Sequence, residues 1–170
     1  MSHREIQREE LYGPSPFPSL LAIALLVLPI LATPLSAAGP LLAASGSVVQ
    51  TSFVQTNVRT AGGATLFDFT ETDTLTGTFS GTSVIHGQCV LRQSGQGTCT
   101  ARERFTGTVN GQSGTVDFAD VIHILDVTIG AATGSFAVIP GGSLSTVRGS
   151  GTFEGAGGVG TYSGRILVAP

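Results

Sequence analysis

From Ser45 onward, Val, Ile, Phe and Thr alternate with polar residues in short runs, and clusters of glycine separate one run from the next. A period of two puts successive side chains on opposite faces of an extended strand. No stretch keeps the 3.6-residue spacing that an apolar helical face needs. The chain is therefore predicted to be all-β. Strands are expected over residues 47–58, 65–76, 78–91, 98–109, 115–126, 127–138, 144–152 and 161–168. Ala61-Gly62-Gly63, Asn110-Gly111-Gln112-Ser113-Gly114 and Pro140-Gly141-Gly142 supply turns between them. Eight strands joined in succession by short links make an antiparallel meander, and such a meander can close into a barrel that has no free edge.

Three segments share the pattern Gly-Thr-aromatic-x-Gly: Gly77 to Gly81, Gly151 to Gly155 and Gly160 to Gly164. Each is expected to turn one aromatic ring (Phe79, Phe153, Tyr162) inward between glycines that bend or closely approach a neighbour. Their irregular spacing is unlike a solenoid repeat. No helix follows any of these glycines and the chain has no Lys, so a phosphate-binding glycine loop is excluded.

The apolar fraction is unevenly spread. Residues 19–38 read SLLAIALLVLPILATPLSAA, an uncharged apolar run that ends in small residues, as in a secretory signal peptide. Residues 1–38 are expected to be a signal peptide whose apolar run forms a leader helix, with cleavage after Ala38 and Ala37 or Ala44 as alternatives. A run of this length also suits an uncleaved membrane anchor at residues 19–38, although Pro29, Pro34 and the small-residue end favour cleavage. The leading MSHREIQREE is not net positive, which departs from an ordinary export leader. Residues 39–44 are expected to be a linker and residues 45–170 the β-barrel domain. Localisation is accordingly expected to be extracellular or periplasmic.

Beyond residue 38 the chain holds eight acidic residues and six arginines, a net charge of −2. That balance provides no electrostatic footprint for nucleic acid. Cys89 and Cys99 flank the turn Ser94-Gly95-Gln96-Gly97, and in an exported chain such a pair reads as a disulfide across a hairpin. There is no C-x-x-C, and the histidines have no ligand spacing with the cysteines, so a metal or redox role is weaker. Pairing Cys89 with Cys99 sets Gly87 opposite Ala101, Ile85 opposite Glu103 and Ser83 opposite Phe105.

This register puts Ser83, Ile85, Gly87, Cys89 and Leu91 on the apolar face with Cys99, Ala101, Glu103 and Phe105. Val84, His86, Arg102 and Arg104 fall on the other face. Ile85, Ala101, Phe105 and, from the next strand, Phe118 are expected to line an interior cavity. Glu103 is the anomaly of that face. The alternation Val116, Phe118, Asp120, Ile122, Ile124 brings Asp120 inward beside it. Buried carboxylates have raised pKa values, as an internal acid or base requires, so Glu103 and Asp120 are the candidate catalytic residues. The competing structural reading pairs Glu103 with Arg148 or another Arg, or turns it to solvent on a bulge. Glu71 and Asp73 share a face with Phe67, Phe69 and Leu75 and are candidate interior or rim carboxylates. They lack the oxygen-rich loop of a calcium site. His86 and His123 are expected to face outward. No G-x-S-x-G elbow supports a hydrolase triad, and nothing in the sequence implies a cofactor.

The segments Leu75 to Ser83, Arg102 to Gly107, Gly111 to Gly114, Ile139 to Leu144 and Val147 to Phe153 resemble a bacterial family of uncharacterised domains. That family is similar to the allene oxide cyclase-like barrel. The resemblance implies an eight-stranded antiparallel closed barrel whose relatives hold apolar or reactive small molecules inside, and several of which form trimers. It transfers no catalytic role to any residue. The leader, the cysteine pair and the short Gly141-Gly142 run depart from the family pattern.

Three functions are compatible with these features. The first is a secreted barrel that binds a small apolar ligand in its interior. The second is a cyclase or isomerase using Glu103 and Asp120 for proton transfer. The third is a structural surface protein that self-associates through outward β-branched residues such as Val84. The partners expected are a small apolar ligand, a membrane only through an uncleaved leader, and further copies of the chain in a homo-oligomer.

Overall fold

A computed structural model describes residues 40–168, and all described secondary structure is strand and turn. Among the described residues no helix is long and apolar enough to cross a membrane. The expected leader helix, its cleavage after Ala37 or Ala38 and the alternative anchor lie outside the described residues.

Eight strands follow one another: β1 (Leu41–Ala61), β2 (Ala64–Gly77), β3 (Phe79–Arg92), β4 (Gly97–Val109), β5 (Gln112–Asp126), β6 (Ala131–Ile139), β7 (Arg148–Ala156) and β8 (Val159–Leu167). Each pairs antiparallel with the next, and β8 returns to β1, where Leu41 faces Leu167 and Val49 faces Val159. The sheet is thus a ring. The period-two burial along β3 and β4 shows its cause, since inward Ser83, Ile85 and Cys89 alternate with exposed Val84, His86 and Val90.

Tight turns set the registers. Asn110 and Gly111 both have positive φ (49° and 84°), so β4 and β5 are joined by a two-residue turn whose twist matches the strands. β5 consequently starts at Gln112, earlier than the expected residue 115.

The boundaries of β1, β6, β7 and β8 also differ from expectation. β1 begins at Leu41, so Leu41 to Ala44 are not a linker: they pair with Leu167 to Gly164, and Ala44 is buried in the core. Cleavage after Ala44 would remove those pairs. Val127 to Gly130 are a turn and not the start of β6. Asp126 Oδ1 accepts from Thr128 N and Oγ1, and Gly130 N donates to Val127 O, which uses the backbone locally. β7 begins at Arg148 because residues 141–147 fold over the ring end, where Ser143 bonds Thr115 and Leu144 N donates to Thr115 O. This segment places Val147, completely buried, in the core. β8 begins at Val159, earlier than the expected 161, because Gly157 and Gly158 (φ 61° and 78°) turn the chain directly out of β7.

β1 continues well beyond its partner β8. From Thr51 to Ala61 its only partner strand among the described residues is β2. Register shifts between Gln50 and Ser52 and between Thr56 and Arg59 bend this extension. Phe53 on it stacks against Phe69 with ring centroids 5.4 Å apart.

Phe79 is the hub of the interior. Its ring meets those of Phe105, Phe118, Phe136 and Tyr162 at 5.3 to 6.4 Å. Tyr162 Oη accepts from Phe79 N at 2.8 Å and donates to Thr76 O at 3.0 Å, tying β8 to the β2–β3 connection through the interior. Two rings of the Gly-Thr-aromatic-x-Gly segments, Phe79 and Tyr162, are buried as expected, and Phe153 is half-buried. The close approach expected at glycines is real at Gly87, where a Cβ would overlap the Phe69 ring.

Candidate functional site

Along β2 the inward side chains run Phe67, Phe69, Glu71, Asp73, Leu75; along β4, Cys99, Ala101, Glu103, Phe105; along β5, Phe118, Asp120, Ile122. On all three strands the carboxylates interrupt an apolar series. The apolar residues consequently divide into two clusters. One is built around Phe79, Phe105, Phe118 and Ile166, and the other around Phe67, Phe69, Ile85 and the cysteines. The carboxylates form a layer between them, and Ser83 of β3 belongs to it.

The registers hold this layer together. Glu71 pairs with Ile85, Ile85 with Glu103, and Glu103 with Phe118; one step along the strands Asp73 pairs with Ser83, and in the other direction Ala101 pairs with Asp120. Same-face neighbours along a strand are about 7 Å apart, within reach of each other's charge. Ser83 is completely buried, and its Oγ donates a hydrogen bond to Glu103 Oε1. Asp73 and Glu71 share a hydrogen bond, and Gln50 of β1 bonds Glu71. Asp120 is only 5% exposed, and neither of its carboxylate oxygens has a hydrogen-bond partner among the described residues; the same holds for Asp73 Oδ1.

Withdrawal from water favours the neutral acids. Burial, more than any neighbour, pushes Asp120 up to about 8; the charge of Glu103 adds to this, Arg102 opposes it, and Asp73 and Glu71 add further. Asp73 rises to about 8 through burial first, then the charge and hydrogen bond of Glu71, then the charge of Glu103. Glu103 rises to about 7 through burial, which the Ser83 bond partly offsets and the charge of Glu71 reinforces. Glu71 is raised by burial against the bonds from Gln50 and Asp73. Near neutral pH the layer therefore both holds protons and can release them.

These side chains face a cavity of about 430 Å³, within the range of small-molecule sites. Its walls are largely apolar and include Phe69, Ile85, Phe118, Ile122, Phe136 and Tyr162, and Glu71, Asp73, Glu103 and Asp120 line it as well. Among the described residues no three His, Cys, Asp or Glu side chains are placed to hold a metal ion.

The family model described as "Protein of unknown function (DUF3224)" matches residues 44–164. The chain belongs to the DUF3224 family. A crystal structure of a DUF3224 protein of unknown function from Shewanella oneidensis MR-1 has a similar fold. Its TM-score is 0.63 at 17% identity, covering 77% of this chain and 100% of that one. No curated protein matches the sequence.

In this DUF3224 chain Glu103 and Asp120 both stand at the cavity wall, on neighbouring strands and in adjacent rows. Among the described residues Glu103 pairs with no arginine: Arg148 donates to the carbonyls of Ser145 and Val147, and Arg104 to Asp117 on the outer face. Nor does a bulge turn Glu103 outward, because the β3–β4 ladder is continuous from Phe79 to Leu91. Of the expected cavity-lining residues, Ile85 and Phe118 line it. Phe105 does not: it is completely buried edge-on against Phe79 in the filled half of the ring. Ala101 points inward between Gly87 and Asp120 but is enclosed by the cluster around Phe67 and Phe69. Cys89 and Cys99 are joined in a disulfide, with Cα atoms 4.1 Å apart, and form part of the wall. His86 and His123 are exposed, as their parity requires.

Glu71 and Asp73 complete the layer as interior residues, the stronger form of what their shared parity with Phe67 and Phe69 indicated. The Phe79 hub and the Tyr162 bridge were not visible in advance. A signal for them existed in the repeated Gly-Thr-aromatic-x-Gly segments, but which rings would meet depends on closure of the ring.

Proposed function

We propose that this protein is an exported, closed β-barrel of the allene oxide cyclase-like type that binds a small apolar molecule in its interior. The observation that carries this reading is the cavity of about 430 Å³ with its largely apolar wall. Burying a ligand's hydrocarbon there removes its surface from water at roughly 25 cal/mol per Å². The cross-strand disulfide supports an oxidising compartment, which agrees with the export expected from residues 1–38. Titrating the purified full chain with an uncharged environment-sensitive dye such as Nile red tests the reading. Saturable binding of one dye per chain, weakened when Ile122→Trp fills the cavity, is expected. A chain that takes up no dye, or an Ile122→Trp variant that binds it equally well, would refute the reading.

A second reading, proton-transfer catalysis of a cyclisation or isomerisation, is favoured by one specific observation. Glu103 and Asp120 are raised towards neutral pH at a largely apolar wall, the condition for a general acid that can later act as a base. It predicts that turnover of a bound reactive substrate follows the titration of Glu103 and is lost in Glu103→Gln, with dye binding unchanged. Self-association through the exposed Val84 and the part of β1 beyond its ladder with β8 would be compatible with either reading.

A further inference from the structure

We propose that the molecule this cavity takes is an organic cation, an apolar amine or quaternary ammonium whose hydrocarbon lies on the aromatic wall and whose charged nitrogen sits beside Asp120 in the carboxylate layer. The inference rests on the binding reading given above and adds the ligand's charge to it.

Four inward-pointing carboxylates face one cavity, and the described residues supply no cation to meet them. The chain has no Lys, and Arg59, Arg92, Arg102, Arg104, Arg148 and Arg165 are all exposed. Asp120 is 95% withdrawn from solvent with both oxygens unpartnered, and Asp73 Oδ1 is in the same condition. Buried polar groups without partners are destabilising, so their presence in a wall that could have been apolar points to a partner that arrives from outside. A neutral hydrocarbon would leave these oxygens unpaired, and an anion would be repelled by each of Glu71, Asp73, Glu103 and Asp120 that is ionised. A bare metal ion needs several converging oxygens, whereas these carboxylates are spread over β2, β4 and β5 among aromatic rings. Phe69, Phe118, Phe136 and Tyr162 line the same space, and the faces of aromatic rings attract alkylammonium groups.

Uptake of a cation re-ionises acids that hold protons in the free protein, so binding releases protons and strengthens as pH rises. The titratable groups facing Asp120 are Glu103 on β4 and Glu71 and Asp73 on β2. Tyr162 on β8 and Glu154 on β7 also border the cavity, and Arg102 acts from the outer face of β4.

Phenyltrimethylammonium and tert-butylbenzene have nearly the same shape and differ in charge, so calorimetric titration of the full chain with each separates charge from fit. The ammonium is expected to bind at least about tenfold tighter at about pH 9, to lose that advantage towards about pH 6, and to release protons near pH 7 when buffers of different ionisation enthalpy are compared. Asp120→Asn should narrow the preference for the ammonium over tert-butylbenzene about tenfold. The wild-type proton release provides the test should that variant not fold. Equal or tighter binding of tert-butylbenzene, or ammonium binding without proton release, overturns the proposal and leaves the apolar cavity reading standing. If neither compound binds, the cavity reading fails and this inference falls with it.

Discussion

The hydroxyl of Ser83 on β3 donates to Oε1 of Glu103 on β4, although the two residues do not face one another in the ladder: Ser83 faces Phe105, and Glu103 faces Ile85. The bond runs diagonally across the inner face and holds the Glu103 carboxyl against the wall. Burial is the largest influence on how readily Glu103 ionises, and this contact is what opposes it.

Ser83→Ala removes the one interaction that holds Glu103 down against burial. Its pKa is expected to rise above the present value of about 7, measured as the side-chain carboxyl carbon shift in an NMR titration. A fall, or no movement, would show that the bond is not made in solution.

Asp120, Asp73 and Glu103 hold their protons to higher pH in the folded chain than in the unfolded one, where ordinary values lie near 4. Their stabilising effect is therefore complete below about pH 4 and is lost as pH rises through about 7 to 8, after which no further loss occurs. Each fully engaged group contributes a slope of up to about 1.4 kcal/mol per pH unit in that window. Urea unfolding at about pH 5, 7 and 9 should show stability falling with pH. Asp120→Asn should lie nearest the wild type at the low end and exceed it increasingly towards the high end. Parallel profiles for the two proteins would contradict the burial of Asp120.

The β3 and β4 strands and the inward position of Glu103 were legible because one local feature determines them together. The turn at Ser94 to Gly97 and the flanking cysteines define the hairpin register, and a period of two then carries Glu103 inward without information from any other strand. Asp120 follows from its own alternation with Phe118 and Ile122. What was not legible depends on residues distant in sequence. Leu41 to Ala44 are strand because β8 pairs with them, and Phe105 is enclosed because Phe79 turns onto it. Val127 to Gly130 resemble strand by composition, yet the Asp126 side chain captures Thr128 and ends the ladder. Arg102 and Arg104 flank Glu103 in sequence but take the opposite parity, so their exposure follows from the same alternation that buries it.

Reducing the Cys89–Cys99 bond, which closes a sequence separation of 10, should lower stability by about 3 kcal/mol. Denaturant midpoints with and without reductant would measure this, with Cys89→Ser/Cys99→Ser as the permanent equivalent. A loss of under about 1 kcal/mol would mean that the hairpin is already restrained in the unfolded chain.

Tyr162→Phe keeps the ring within the Phe79 hub and deletes the hydroxyl that accepts from Phe79 N and donates to Thr76 O. The buried Phe79 amide then has no acceptor, which should lower stability by about 1 to 3 kcal/mol and speed exchange of that amide in particular. Unchanged exchange at Phe79 would indicate that another acceptor replaces the hydroxyl.

The pairing of Leu41 with Leu167 means that the earliest strand of the ring finds its second neighbour only when the last one arrives. Every ladder from β1·β2 to β7·β8 is a local hairpin and can form in order, whereas the closing ladder spans almost the whole described chain. Topologies dominated by such a final long-range step fold slowly, and until it is complete β1 and β8 each present an open edge to other chains. The most hazardous interval for this protein is thus the time between making its seventh ladder and its eighth. A chaperone or secretion partner that shields a strand edge would act there.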